Sequence, residues 1–186
     1  MIYPIVAYGD PVLRARAEEI QSDFPGLDQL IRDMFETMYH AKGVGIAAPQ
    51  IGKSIRIFVV DGSPIEDETV DMKSFKKVFI NPVMLQEEGE EWGYDEGCLS
   101  IPDVIEEVYR PETVYLRYQD ENFVVHEGKF IGMQARIIQH EYDHLEGVLF
   151  TDHVGGLRKQ LIKSRLKRIS EGRYKTTYTM SYYQKK

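Results

Sequence analysis

The segment Ile138-Gln139-His140-Glu141-Tyr142-Asp143-His144 sets two histidines four residues apart with a glutamate directly after the first. On a helix, residues at i and i+4 lie one above the other on the same face. His140 and His144 can therefore present two imidazoles to one metal ion, and Glu141, one position around, can reach a water activated there. This spacing is a signature of zinc hydrolases. Without a metal, the same residues read as two core histidines satisfied by backbone carbonyls. Burying two imidazoles beside a carboxylate with no ligand is costly, which favours the metal reading. Asp143 stands either to orient a ligand from behind or to lie on the helix surface as a solvated acid.

Two histidines leave a catalytic metal site one ligand short. A third histidine six residues after the second is excluded by Phe150, although Gly147 stands in between, and a glutamate supplied some twenty or more residues later could only be Glu171, in a basic stretch expected to be exposed. The remaining candidate is the single cysteine, Cys98, in Asp95-Glu96-Gly97-Cys98-Leu99-Ser100. Gly97 is expected to let the backbone turn sharply or approach closely there. A Cys-His-His set gives three protein ligands and one open position; taken alone, Cys98 reads equally as a small buried hydrophobe. A third element, Gly43-Val44-Gly45-Ile46-Ala47-Ala48-Pro49-Gln50, lacks the third glycine and the lysine of a phosphate loop and follows a helix pattern instead of a strand. Its small residues suit close pairing with a peptide backbone, and Gln50 can donate its amide to a developing oxyanion. The alternative is a small-residue packing turn.

These residues need elements to hold them. Leu27, Leu30, Ile31, Met34, Phe35 and Met38 follow helical spacing and predict a helix over 25–42, ended by Gly43. Further helices are expected over 132–145, with Met133 and Ile137 continuing the histidine stripe, and over 155–170, with Leu157, Leu161, Ile162, Leu166 and Ile169 facing inward. Strands are predicted at 56–60, 77–80, 113–118 and 123–126. The acidic, turn-rich stretch 61–77 predicts an exposed, mobile loop. Alternation of Tyr174, Thr176, Tyr178, Met180 and Tyr182 leans towards an added edge strand over a disordered tail. Irregular interleaving of strands and helices indicates α+β, with mixed or antiparallel sheets packed around a central helix carrying the His-Glu-x-x-His motif, and not a wound parallel sheet.

The 186 residues suit one domain over 1–186, with a basic helix and strand-like tail at 157–186. With 42% apolar and 28% charged residues the chain has the balance of a globular protein and not of a disordered one. It holds no run of roughly 18 apolar residues, so no membrane span or membrane partner is expected. The start, MIYPIVAYGD, has no basic region followed by an apolar one, so no secretory signal is expected. One cysteine excludes an intramolecular disulfide and fits a reducing, cytoplasmic setting. The overall charge of −7 hides an asymmetry: residues 1–156 carry 13 Lys/Arg against 29 Asp/Glu, whereas residues 157–186 carry 10 against one. A basic end on an acidic body suggests an anionic partner, or else a solvated helix face.

The three motifs in this order, GVGIAAPQ (43–50), EGCLS (96–100) and QHEYDH (139–144), resemble those of the peptide deformylase family, in the EGCLS form common among bacterial members. The similarity runs from YGDPVLR (8–14) to HLEGVLF (144–150). The resemblance implies metal-dependent removal of the formyl group from N-terminal formyl-methionine of newly made polypeptides, with release of formate. Residue by residue, it implies Cys98, His140 and His144 as metal ligands and Glu141 as the catalytic carboxylate. Gln50 and the Leu99 backbone N–H match the oxyanion donors. Gly45 matches the strand-like clamp on the substrate, and Val44, Met133 and Ile137 fall where the methionine pocket belongs. It further implies Fe(II) as the ion, with zinc, nickel or cobalt tolerated, and docking on the ribosome through the basic C-terminal helix; a monomer is expected. Three other classes remain open: a thiol hydrolase using Cys98 as nucleophile, a general metallopeptidase, and a non-catalytic nucleic-acid or ribosome-binding module resting on Arg158, Lys159, Lys163, Arg165, Lys167 and Arg168.

Overall fold

Strand β3 (Ile57–Asp61) is buried along its whole length, and its alternate side chains enter two different cores. Ile57 and Val59 pack with Leu27, Leu30, Ile31, Met34 and Met38 of helix α1 (Leu27–His40). Phe58 and Val60 pack on the other side with Met133, Ala135 and Ile138 of helix α2 (Gly132–Leu145). The period-two geometry of a strand thus inserts the sheet between two helices. The computed structural model describes residues 1–184.

Five antiparallel strands form the main sheet, in the order β2 (Gly45–Ala47), β3, β4 (Lys76–Cys98), β5 (Ile101–Gln119), β6 (Val125–Ile131). A second, two-stranded parallel sheet pairs β1 (Ile5–Val6) with β7 (Met180–Ser181). After α2 come the short α3 (Phe150–His153) and α4 (Gly156–Ser170), which covers a third core with Leu13, Ile101, Val104, Val108 and Phe150. The architecture is the expected α+β one. No helix among the described residues is long and apolar enough to cross a membrane.

The expected helix at 132–145 is found with those limits, and that at 155–170 begins one residue later. The helix expected over 25–42 is shorter, because Gly26 at φ +72° caps it and Lys42 at φ +59° leaves it. The strand expected at 56–60 is found one residue later with the same length, that at 123–126 starts at Val125 and runs on to Ile131, and those at 77–80 and 113–118 are much longer. β4 and β5 form a hairpin through the Glu-rich stretch 86–96, whose composition is poor in strand formers. Three further expectations are corrected. Leu157 and Leu161 are exposed, and only Ile162, Leu166 and Ile169 of that helix face inward. The 61–77 stretch is not exposed throughout: Met72 and Phe75 are buried in the α2-side core and Ile65 and Val70 pack against it. The C-terminal alternation yields an edge strand only over two residues, β7, which pairs with β1; Lys185 and Lys186 lie outside the described residues.

Candidate active site

Cys98 ends β4 and pairs with Ile101 across the two-residue turn Leu99–Ser100. The turn aims Cys98 at the buried face of α2. One donor atom from each of Cys98, His140 and His144 lies within 4.8 Å of the others. Cys98 Sγ is 3.3 Å from His144 Nε2, and the two imidazole centroids are 5.2 Å apart. Burial alone would raise the Cys98 thiol, but the adjacent His144 and His140 outweigh it and hold the thiol at about 5. A thiolate with two imidazoles is a donor set for a borderline divalent metal.

Glu141 lies beside this triad, 4% exposed, and burial lifts its carboxyl to about 7. Its Oε2 is buried and has no hydrogen-bond partner within the protein. An unpartnered carboxylate beside three convergent donors fits a bound cation and its water, since a buried charge is tolerated only when compensated.

Gly45 approaches Glu141 from β2. A Cβ on Gly45 would sit 2.5 Å from Glu141 Oε1 and 2.8 Å from its carboxyl carbon, closer than real contacts allow. Gly97, by contrast, has no left-handed backbone, and a Cβ there would meet nothing nearer than 3.7 Å. The close approach expected at Gly97 therefore occurs at Gly45. Gly45→Ala is expected to lower stability by about 1–3 kcal/mol through overpacking and to slow turnover by displacing Glu141; urea unfolding with steady-state kinetics checks both.

Gln50 is held by its carbonyl, which accepts the Ala47 N–H at 2.8 Å, so its amide nitrogen points to Cys98 Sγ at 3.4 Å. One cavity of about 780 Å³ brings together Val44, Gly45, Gln50, Cys98, Leu99, Met133, Ile137, His140 and Glu141. His144, buried and within 3.3 Å of Cys98 Sγ, is not part of the cavity wall. The residues marked from the sequence therefore converge on one place.

Sequence reasoning missed the group that braces this site. Glu96 accepts from Arg110 through both carboxylate oxygens (2.7 and 3.1 Å) and from Arg136 at 2.9 Å. Its Oε2 lies 3.0 Å from His140 Nδ1. Burial alone would raise the Glu96 carboxyl; the bonds from His140 and Arg110 prevail and keep it far below the usual carboxylate range. Glu96, and not Asp143, thus orients the histidine. Asp143 accepts from Arg110 and pairs with His153, both at 2.8 Å. A signal existed in the period-two pattern Val104, Glu106, Val108, Arg110, which puts Arg110 on the inward face of β5.

The chain matches the family model described as polypeptide deformylase over residues 2–160. It is 53% identical to a peptide deformylase of Flavobacterium johnsoniae, covering 98% of this chain and 96% of that one. Among solved structures, it resembles peptide deformylase 1B of Arabidopsis thaliana at 34% identity and a TM-score of 0.81, covering 91% of each chain. It also resembles the Thermotoga maritima peptide deformylase at 38% identity and a TM-score of 0.76, over 84% of this chain and 99% of that one. Alignment over nearly the full length, together with the converged Cys-His-His site, places the chain in the polypeptide deformylase family.

Proposed function

We propose that Cys98, His140 and His144 hold one divalent ion, that Glu141 carries the proton, and that Gln50 with the Leu99 N–H receives the oxyanion. The reaction of the family is hydrolysis of the formamide at an N-terminal formyl-methionine, giving formate and a free amine. The observation that carries the assignment is the unpartnered, buried Glu141 carboxylate beside the three convergent donors. An ion bound there supplies a Lewis acid that brings the pKa of water towards neutrality. Glu141 takes a proton from the attacking water as the new C–O bond forms. The Gln50 amide, fixed by Ala47, and the Leu99 N–H donate to the oxygen that gains charge, each donor worth roughly 3 kcal/mol in comparable sites. Glu141 then returns the proton to the leaving nitrogen as the C–N bond breaks. Val44, Met133 and Ile137 give the cleft an apolar wall for the methionine side chain.

The resident ion in this reading is Fe(II), with zinc, nickel and cobalt compatible with the same donors. The chain works as a cytoplasmic monomer and one catalytic domain, to which α4 and the tail are appended. Formate release from formyl-Met-Ala-Ser, with no cleavage of unformylated Met-Ala-Ser, is the expected outcome; cleavage of the unformylated peptide would favour a general metallopeptidase.

Helix α4 serves in this reading as a ribosome-docking face. Arg158 is tied to Glu106 at 3.0 Å and Arg165 to the Asp103 carbonyl, whereas Lys159, Lys163 and Arg168 are exposed and have no ion-pair partner among the described residues. Changing these three to glutamate is expected to weaken ribosome cosedimentation and flatten its salt dependence by about one unit of log–log slope for each phosphate that is no longer neutralised. Binding insensitive to salt or to these changes would remove the docking role.

A further inference from the structure

We infer that Lys175–Tyr178, running from α4 back to β7, forms the outer wall of the peptide cleft, with Tyr178 positioning the Leu99 peptide and Lys175 selecting substrate residues beyond formyl-methionine. The inference rests on the deformylase reading and adds a segment that lies past the family-matched region, which ends at residue 160.

The segment is held at both ends. Upstream, the Tyr174 hydroxyl donates to Asp103 Oδ2 at 2.7 Å. Downstream, Ile5 and Ala7 donate backbone N–H groups to the carbonyls of Thr179 and Ser181 at 2.9 and 2.8 Å. Between these anchors, Lys175, Thr176, Thr177 and Tyr178 line the cavity that also contains Cys98 and Glu141. A cleft of about 780 Å³ has the size that encloses a drug-sized ligand, and so exceeds one methionine side chain.

Tyr178 donates its hydroxyl to the Leu99 carbonyl at 2.7 Å, and Tyr8 donates its N–H to the Ser100 carbonyl at 2.9 Å. These two bonds, both from outside the hairpin, pin the Leu99–Ser100 turn. The Leu99 carbonyl shares its peptide plane with the Ser100 N–H, and only the φ and ψ of Leu99 separate that plane from the one carrying the Leu99 N–H, so anchoring the carbonyl limits how far the Leu99 N–H can swing. Tyr178 thereby holds an oxyanion donor in place without touching the reacting atoms. Lys175 is exposed on the same wall and has no ion-pair partner among the described residues. Asp103 lines the same cavity and accepts from Tyr174, but it forms no ion pair with Lys175, so the Lys175 ammonium can meet an acidic side chain of the substrate.

The test uses the full-length, metal-loaded protein and two variants, Tyr178→Phe and Lys175→Glu, with formyl-Met-Ala-Glu and formyl-Met-Ala-Lys as substrates. Tyr178→Phe is expected to lower kcat on both peptides by about 2- to 10-fold, the effect of one hydrogen bond, with KM unmoved. Lys175→Glu is expected to raise KM for the Glu peptide and lower it for the Lys peptide, each by about 2- to 5-fold. Calorimetry of the product Met-Ala-Glu on metal-free protein should show the same weakening for Lys175→Glu. A stably folded Tyr178→Phe protein with wild-type kcat, or a Lys175→Glu protein with an unmoved KM ratio, overturns the assignment. Absence of formate release by the wild-type protein would instead overturn the deformylase reading itself.

Discussion

Replacing Glu141 with alanine or glutamine slows formate release by about 10²- to 10⁴-fold, the usual contribution of a positioned general acid–base. The loss sits in kcat, because in the proposed mechanism Glu141 acts on the proton and not on substrate binding. Metal content stays at the wild-type level, since the proposed donors are Cys98, His140 and His144 and do not include Glu141. Stability is retained or raised. The Glu141 carboxylate is buried with an unpartnered oxygen, so the folded state carries its desolvation cost without a protein hydrogen bond in return. A site that works better than it packs is the expected trade-off between activity and stability. Kinetics, metal analysis and thermal unfolding of the two variants check each part, and near-normal turnover by either would remove Glu141 from its role.

Glu96→Ala is the second large effect, and it falls on the fold as much as on the site. Glu96, Arg110 and Arg136 have side chains 4%, 5% and 2% exposed. Removing the carboxylate leaves Arg136 without its ionic partner and Arg110 with Asp143 alone. Breaking one side of such a buried cluster costs about 3–5 kcal/mol, a large part of the 5–15 kcal/mol that typically separates folded from unfolded domains. His140 Nδ1 loses its acceptor at the same time, and outer partners of this kind are worth about 10–100-fold in metal affinity. Urea unfolding of the metal-free protein reads the first effect and competitive metal titration the second. A variant with wild-type stability would show that the arginines are compensated elsewhere.

The two predictions differ in how much of them the sequence could supply. His140, Glu141 and His144 were legible because helical spacing alone puts them together, and α2 has the predicted limits. Cys98 and Gln50 emerged from residue chemistry and motif resemblance, and the Leu99–Ser100 turn explains how two distant segments meet at one point. Glu96, Arg110 and Arg136 were not found, because their meeting depends on the register of the long β4–β5 hairpin. That hairpin runs through an acidic stretch whose composition argues against strands. The inward face expected at Leu157 and Leu161 failed for another reason: only the C-terminal part of α4 lies over a core, and spacing cannot tell where a neighbour stops. The alternation from Tyr174 to Tyr182 was real, with those side chains half-buried, but what they lie against could not be read from period two.

The central claim is that a divalent ion held by Cys98, His140 and His144 is required for deformylation. The most direct measurement is anaerobic formate release from formyl-Met-Ala-Ser before chelation, after it, and after adding back one equivalent of Fe(II). The predicted result is about one ion per chain, loss of activity in step with its removal, and recovery on addition of Fe(II). Full activity in metal-free protein, abolished only by alkylation of Cys98, would contradict the claim and make the cysteine the nucleophile.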